Sequence, residues 1–281
     1  MSSIVDDLKM QYQFGGVAFR LIFWNFLCFL VSVLLFYNFQ LGVFHFPSWI
    51  ALSSDPNVFI TMPWTLFSYA FFHHGIGHLF FNMMVLHFSS MLFLTFFNSK
   101  QFMGLYLLSA LFSGVAFVVG YYFLQMNSSM VGASGAIMAI LVATTTYRPL
   151  MTVRLLFFGN VKLWHLTAVI LVLDFMQFKI ENTGGHIAHL AGAFFGFIFI
   201  KLLQNGWDLS RILNNPFKQS KRTPFKKVHK NYSKPLAKPS SRIVVKDKTQ
   251  QQIDEILDKI SQSGYDCLTQ EEKEFLFKAG K

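Results

Sequence analysis

Gly132-Ala133-Ser134-Gly135 opens one apolar stretch of this chain, and Gly184-Gly185-His186-Ile187-Ala188-His189-Leu190-Ala191-Gly192 opens another. A hydroxyl and an imidazole thus each stand near the start of a long apolar segment. Polar side chains at membrane depth are costly and usually tied to a function. A serine flanked by glycines and a histidine followed by Gly192 and Gly196 together point to hydrolytic chemistry inside a bilayer, provided the two segments meet.

The composition fits that setting. Of 281 residues, 53% are apolar and 14% charged, and phenylalanine fills 35 positions; an average soluble domain has about a quarter charged residues. The net charge of +10 is unevenly spread, with +2 in residues 1–200, +11 in 201–250 and −3 in 251–281. The basic excess follows the last apolar run, where it suits anionic lipid headgroups at a membrane surface rather than nucleic acid. Two cysteines, Cys28 and Cys267, are too few and too differently placed for a disulfide framework or a metal cluster. The first apolar run has the length of a full span and no small-residue cleavage motif after it, so an uncleaved signal anchor is expected.

A bilayer core of ~30 Å takes roughly 20 apolar residues in helical form. Six runs qualify, near 19–38, 78–97, 102–125, 133–148, 163–178 and 185–204, the fourth and fifth being short or polar-tipped. The expected fold is an all-α membrane protein, a six-transmembrane-helix bundle with a short helical cytoplasmic appendage. Its parts are a cytoplasmic segment at 1–16, the membrane domain at 17–204, a basic flexible linker at 205–248 and the appendage at 249–281. With the N-terminus inside, Lys9, Arg20, Lys100, Arg148, Arg154, Lys162, Lys201 and the basic tail fall on the cytoplasmic side and Lys179 alone outside, as the positive-inside rule favours. That topology puts Ser134 and His189 at similar shallow depth on the outer side, and suits a bacterial plasma membrane. The connection from Leu41 to Gly77 carries Trp49 and Trp64 and is expected to lie partly in the outer interface. In the tail, Ile253, Ile256, Leu257 and Ile260 keep helical spacing up to Gly264, and Thr269 with Glu272 forms a capping box ahead of Phe275 and Leu276.

A serine hydroxyl becomes a useful nucleophile when a base within hydrogen-bond reach takes its proton. His189 is the candidate base. Gly132 allows a tight entry that exposes Ser134, while Gly135, Ala136 and Ala139 leave a shallow helix surface. His189, Gly192 and Gly196 share a face, and small residues in such a stripe permit close packing in lipid. Acyl transfer also needs donors for a developing oxyanion. His78 and Asn82, four apart near the outer end of the second span, share a face at the same depth.

His78-x-x-x-Asn82, Gly132-x-Ser134-Gly135 and Ala188-His189-x-x-Gly192-x-x-x-Gly196 together make the chain resemble the rhomboid family of intramembrane serine proteases, over roughly residues 15–204. The resemblance implies Ser134 as nucleophile and His189 as general base in a dyad without an acidic third member. It implies an oxyanion hole of His78, Asn82 and the Ser134 backbone N–H, and substrates that are transmembrane segments of other proteins cut near their outer ends. No metal, nucleotide or other cofactor is implied. Two positions depart from familiar members: Thr65 follows Trp64 where some bacterial members have Trp-Arg, and Met138 stands where many place a tyrosine against the histidine ring.

Other groups receive plainer readings. His186 lies nearer the loop than His189 and lacks a glycine three residues on. His73 and His74 are assigned to the loop before the second span, and Asp174 and Glu181 to structural or interfacial roles. A zinc protease would use His74 and His78, four apart, but no Glu follows His74 and carboxylates are scarce in the spans. A membrane scaffold or chaperone that binds transmembrane helices without cleaving them is the non-enzymatic alternative.

Overall fold

The computed structural model describes residues 3–156, 158–177, 183–213 and 241–279. Lys179, Glu181 and most of the expected linker lie outside the described residues. Two compact units are present, dividing between Gln219 and Ser220.

In the first unit, a short capped helix α1 (Ile4–Phe14) leads into α2 (Gly16–Phe36). The connection from α2 carries a small hairpin, β1 (Tyr37–Asn38) with β2 (Val43–Phe44), then β3 (Leu52–Ser53) and the short helices α3 (Pro56–Thr61) and α4 (Thr65–Ser68). Helices α5 (Ile76–Leu94) and α6 (Ser99–Leu124) follow, then strand β4 (Ser129–Met130) and α7 (Ser134–Tyr147). A hairpin of β5 (Thr152–Leu155) and β6 (Gly159–Lys162) precedes α8 (Leu163–Gln177), and α9 (Thr183–Gln204) closes the bundle. Helices α2, α5, α6 and α9 are long and apolar enough to cross a membrane, and α7 and α8 are shorter apolar helices. The chain is an all-α integral membrane bundle.

The bundle is built for lipid outside and close packing inside. Trp24, Leu34, Phe80, Phe123 and Phe175 face outward, whereas Ala18, Asn25, Ser89, Ser109, Ser113 and Ala139 are buried. Lipid tails compete with leucine for apolar contact, so helices in a membrane associate through tight packing and hydrogen bonds. Some buried hydroxyls and amides donate to carbonyls of their own helices: Ser109 Oγ to that of Leu105 at 2.6 Å and Asn25 Nδ2 to that of Leu21 at 2.8 Å.

Helix α7 is the enclosed centre, with nearly every residue from Gly135 to Thr144 buried. Its 14 residues span about 21 Å at 1.5 Å each, well short of a bilayer core of ~30 Å. The chain before it therefore runs as non-helical backbone inside the protein, which is tolerated only where every polar group finds a partner or lines a cavity. β4 supplies this by pairing antiparallel with β3, Met130 opposite Leu52. The Ser54 N–H donates to the Ser128 carbonyl at 2.9 Å and the Gly132 N–H to that of Tyr69 at 2.9 Å. Tyr69 is itself buried and donates its hydroxyl to the Ala110 carbonyl of α6 at 2.8 Å. Trp64 Nε1 donates to the Trp49 carbonyl at 3.0 Å and Ser68 Oγ to the Ile50 carbonyl at 2.9 Å, so the long connection is tied down with Thr65 in place of arginine.

Glycines set the distance between α7 and α9. A Cβ on Gly192 would overlap the Gly135 carbonyl, and one on Gly196 the Ala139 carbonyl. The stripe read from sequence is thus a backbone-to-backbone contact.

Two domain boundaries differ from expectation. Residues 209–213 form a 3-10 turn whose Ser210 is buried against Gly104 of α6, so the chain past 205 still packs on the bundle. In the second unit α10 (Ser241–Ser263) begins ahead of residue 249, inside the segment expected to be linker. Basic composition had argued against structure there, but the spacing of Ile253, Ile256 and Ile260 extends backward as helix. Gly264 ends it at φ +78°, and α11 (Gln270–Ala279) starts from the Thr269–Glu272 capping box. Lys259 donates to Glu272 across the pair; this hydrogen bond holds the ammonium above its ordinary pKa and the carboxyl below its own.

A methyl at Gly192 must push α9 off α7. Gly192→Ala is expected to destabilise the bundle by about 1–3 kcal/mol, the usual penalty for overpacking, read as a lower unfolding temperature in detergent. Gly77→Ala, where an added Cβ meets nothing within 4 Å, is the control. An unchanged transition for Gly192→Ala would show that the helices are not held this closely.

Candidate active site

Ser134 is the first residue of α7. The approach is set by Gly132, whose φ of +142° lies where other residues are strained. A Cβ there would also stand 3.0 Å from His78 Cε1 and 3.2 Å from Nε2, so the His78 ring lies against the bare backbone of Gly132. Gly135 is equally confined, a Cβ meeting Ser113 Oγ at 2.8 Å and the Ala188 carbonyl at 3.0 Å.

His189, in the second turn of α9, brings Nε2 to 2.5 Å from Ser134 Oγ. Its other nitrogen, Nδ1, lies 2.6 Å from Asp174 Oδ1 on α8. His186 Nδ1 reaches the same oxygen at 2.8 Å. Asp174 and His186 are buried and His189 is one-fifth exposed. Asp174, read from sequence as structural or interfacial, thus joins the two histidines through its carboxylate, and the Ser134–His189 pair has an acidic neighbour. An ionised carboxylate only accepts hydrogen bonds. Against one, each Nδ1 carries a proton, leaving the Nε2 lone pair of His189 turned to the Ser134 hydroxyl.

His78 and Asn82 line, with Ser134, Gly132 and His189, a cavity of about 520 Å³. Asn82 Nδ2 donates one hydrogen to the His78 carbonyl at 3.0 Å, and an amide nitrogen has a second to give. The Ser134 N–H is one of the first N–H groups of α7 and so lies outside the helix's own ladder, at its positive end. The cavity wall continues along Phe81 and Val85 of α5, Met138 of α7 and Ile170 of α8. Met138 packs with the Leu141, Val153 and Leu163 cluster. In place of an aromatic from α7, the ring beside His189 is that of His186, at 5.8 Å and nearly perpendicular.

His74 stands before the first turn of α5, so it and His78 do not form the one-face pair of a helical zinc motif. His73, in the same loop, is fully buried with its ring 5.1 Å from that of His78, a neighbour the sequence did not single out. Among the described residues, the metal-ligand composition falls instead on Asp174, His186 and His189, whose donor atoms lie within 4.8 Å of one another. The two contacts at 2.6 and 2.8 Å are hydrogen-bond lengths, whereas ligands at ~2.0–2.2 Å in a tetrahedral zinc site stand more than 3 Å apart. Asp174 was detectable in one way only, as a carboxylate in an otherwise apolar helix, a placement that demands a partner. A separation of 15 positions in sequence from His189 conceals which.

A membrane bundle with a serine and a histidine hydrogen-bonded beside a cavity at one end defines a class of intramembrane hydrolase-like proteins. The family model for the Rhomboid domain matches residues 61–205, about half of the chain, and the chain belongs to the rhomboid family. Residues 244–278, the α10–α11 unit, match a family of unknown function (DUF6576). No curated protein matches the chain.

The Ser134–His189 contact can be probed without proteolysis. With Cys28 and Cys267 changed to serine, Ser134→Cys is expected to react with iodoacetamide at neutral pH at least about tenfold faster when His189 is present than when it is alanine, since the imidazole takes the thiol proton. Equal rates would mean that the two groups do not share a proton.

Proposed function

We propose that this rhomboid is an active intramembrane serine endopeptidase that cleaves transmembrane segments of other membrane proteins near their outer ends. The observation that carries the reading is the 2.5 Å contact of Ser134 Oγ with His189 Nε2 beside a cavity that also holds His78 and Asn82.

Ser134 Oγ attacks the scissile carbonyl carbon while its proton passes to His189 Nε2, and the carbonyl electron pair moves onto oxygen. His78, the free hydrogen of Asn82 and the Ser134 N–H are the donors for that oxyanion. Collapse of the intermediate breaks the C–N bond, and the His189 proton goes to the leaving amine. Water, activated by His189, then releases the acyl group from Ser134. Helical carbonyls are shielded by their own hydrogen bonds, so the substrate helix unwinds locally before attack, and small or helix-breaking residues favour cleavage. The wall formed by Phe81 and Val85 on one side and Ile170 on the other supports a route between α5 and α8. Charge placement supports both termini inside, with the basic tail against anionic headgroups. No cofactor is required.

Purified full-length protein is tested on single-span reporter substrates. Ser134→Ala and His189→Ala are expected to lose activity by ~10⁴-fold or more, and His78→Ala or Asn82→Ala by ~10²–10³ in kcat, the usual cost of one oxyanion donor. Activity is expected to survive chelators. Undiminished cleavage by Ser134→Ala would reject the mechanism, and a wild type that binds but cuts none of a broad panel would favour a helix-binding scaffold.

A further inference from the structure

The carboxylate that bridges His186 and His189 has no part in the mechanism above. It lies in an apolar helix, where an unpaired charge would be expensive and a paired one is retained when it supplies something that packing does not. Both histidines donate to the same oxygen, Oδ1, but they are not equivalent. His189 alone has its second nitrogen on Ser134; His186 turns its ring nearly perpendicular. The chain of contacts thus runs Ser134, His189, Asp174, His186, across three helices.

We propose that Asp174 is the positioning residue of this site: it holds His189 with Nδ1–H toward the carboxylate and Nε2 toward Ser134, and His186 holds Asp174 in turn. The proposal rests on the protease reading and deepens it. An imidazole on a helix rotates about two side-chain bonds, and neutral histidine has two tautomers, only one of which presents a lone pair at Nε2. With Met138 on α7 packed into an aliphatic cluster, that helix contributes no aromatic ring against His189. The Asp174 hydrogen bond fixes both rotation and tautomer. The same carboxylate faces the positive charge that His189 acquires when the Ser134 proton arrives, and its proton relationship does not change: Nδ1–H remains on nitrogen throughout. His186, three residues before His189 on α9, gives Oδ1 a second donor and keeps the carboxylate from swinging into the cavity.

The test uses the full chain in detergent with a cleavable reporter. Asp174→Asn keeps the shape and removes the charge; kcat is expected to fall by about 10²-fold or more with KM within about threefold, as for triad carboxylates elsewhere. Asp174→Glu restores part of the loss, which a merely structural role would not predict. Asp174→Asn with kcat within about threefold of wild type would overturn the proposal, while wild-type and Ser134→Ala behaviour decides the protease reading separately. If Asp174→Asn does not fold, ¹⁵N-histidine spectra of the unmodified protein decide: protonated Nδ1 and bare Nε2 on His189 are expected, and an Nε2–H tautomer would sink the idea.

Discussion

The contact between α7 and α9 is the constraint on which the site depends. With Gly192 under the Gly135 carbonyl and Gly196 under that of Ala139, the two backbones touch directly. No side chain separates them, so the residues one position before Gly135 and three positions before Gly192 are also forced together. Ser134 and His189 are those residues. A larger side chain at either glycine would part the helices and lengthen the hydrogen bond between Ser134 and His189. In lipid, where burying apolar surface gives little preference for one helix pair over another, this kind of close fit is among the few forces that choose partners.

A second constraint follows from the first. A helix enclosed by others and only 14 residues long cannot cross a bilayer core, so the chain must reach its start through irregular backbone. The cost of that backbone is met by the β3–β4 pairing and by the Tyr69 carbonyl, which hold Gly132 in a conformation and a tightness that suit glycine alone. Ser134 therefore stands at a helix start, where the first backbone N–H groups lie outside the helix's own ladder. Polar groups that would be a liability in lipid are linked here into one hydrogen-bonded chain from Ser134 through His189 and Asp174 Oδ1 to His186.

Much of this was legible from residues alone, because membrane physics leaves few choices. Apolar length located the helices, small-residue spacing identified the α7 and α9 faces, and His78 with Asn82 announced a third polar face. What misled was locality. Asp174 read as structural or interfacial because its partners lie on another helix, and the segment after Asn205 read as linker because composition does not reveal that Ser210 fits over Gly104. In the second unit, the helix read from Ile253 to Ile260 begins at Ser241, because basic composition hid its first turns.

The sequence by itself determined the class of the protein, an apolar helical bundle of the rhomboid family with Ser134 and His189 at the mouths of two helices, since bilayer thickness and helical periodicity act along the chain. Only the tertiary structure decided how His189 is held. Its orientation comes from a carboxylate on a different helix, and hydrogen bonds between helices depend on the angle and distance at which those helices pack, quantities that no local pattern of residues encodes.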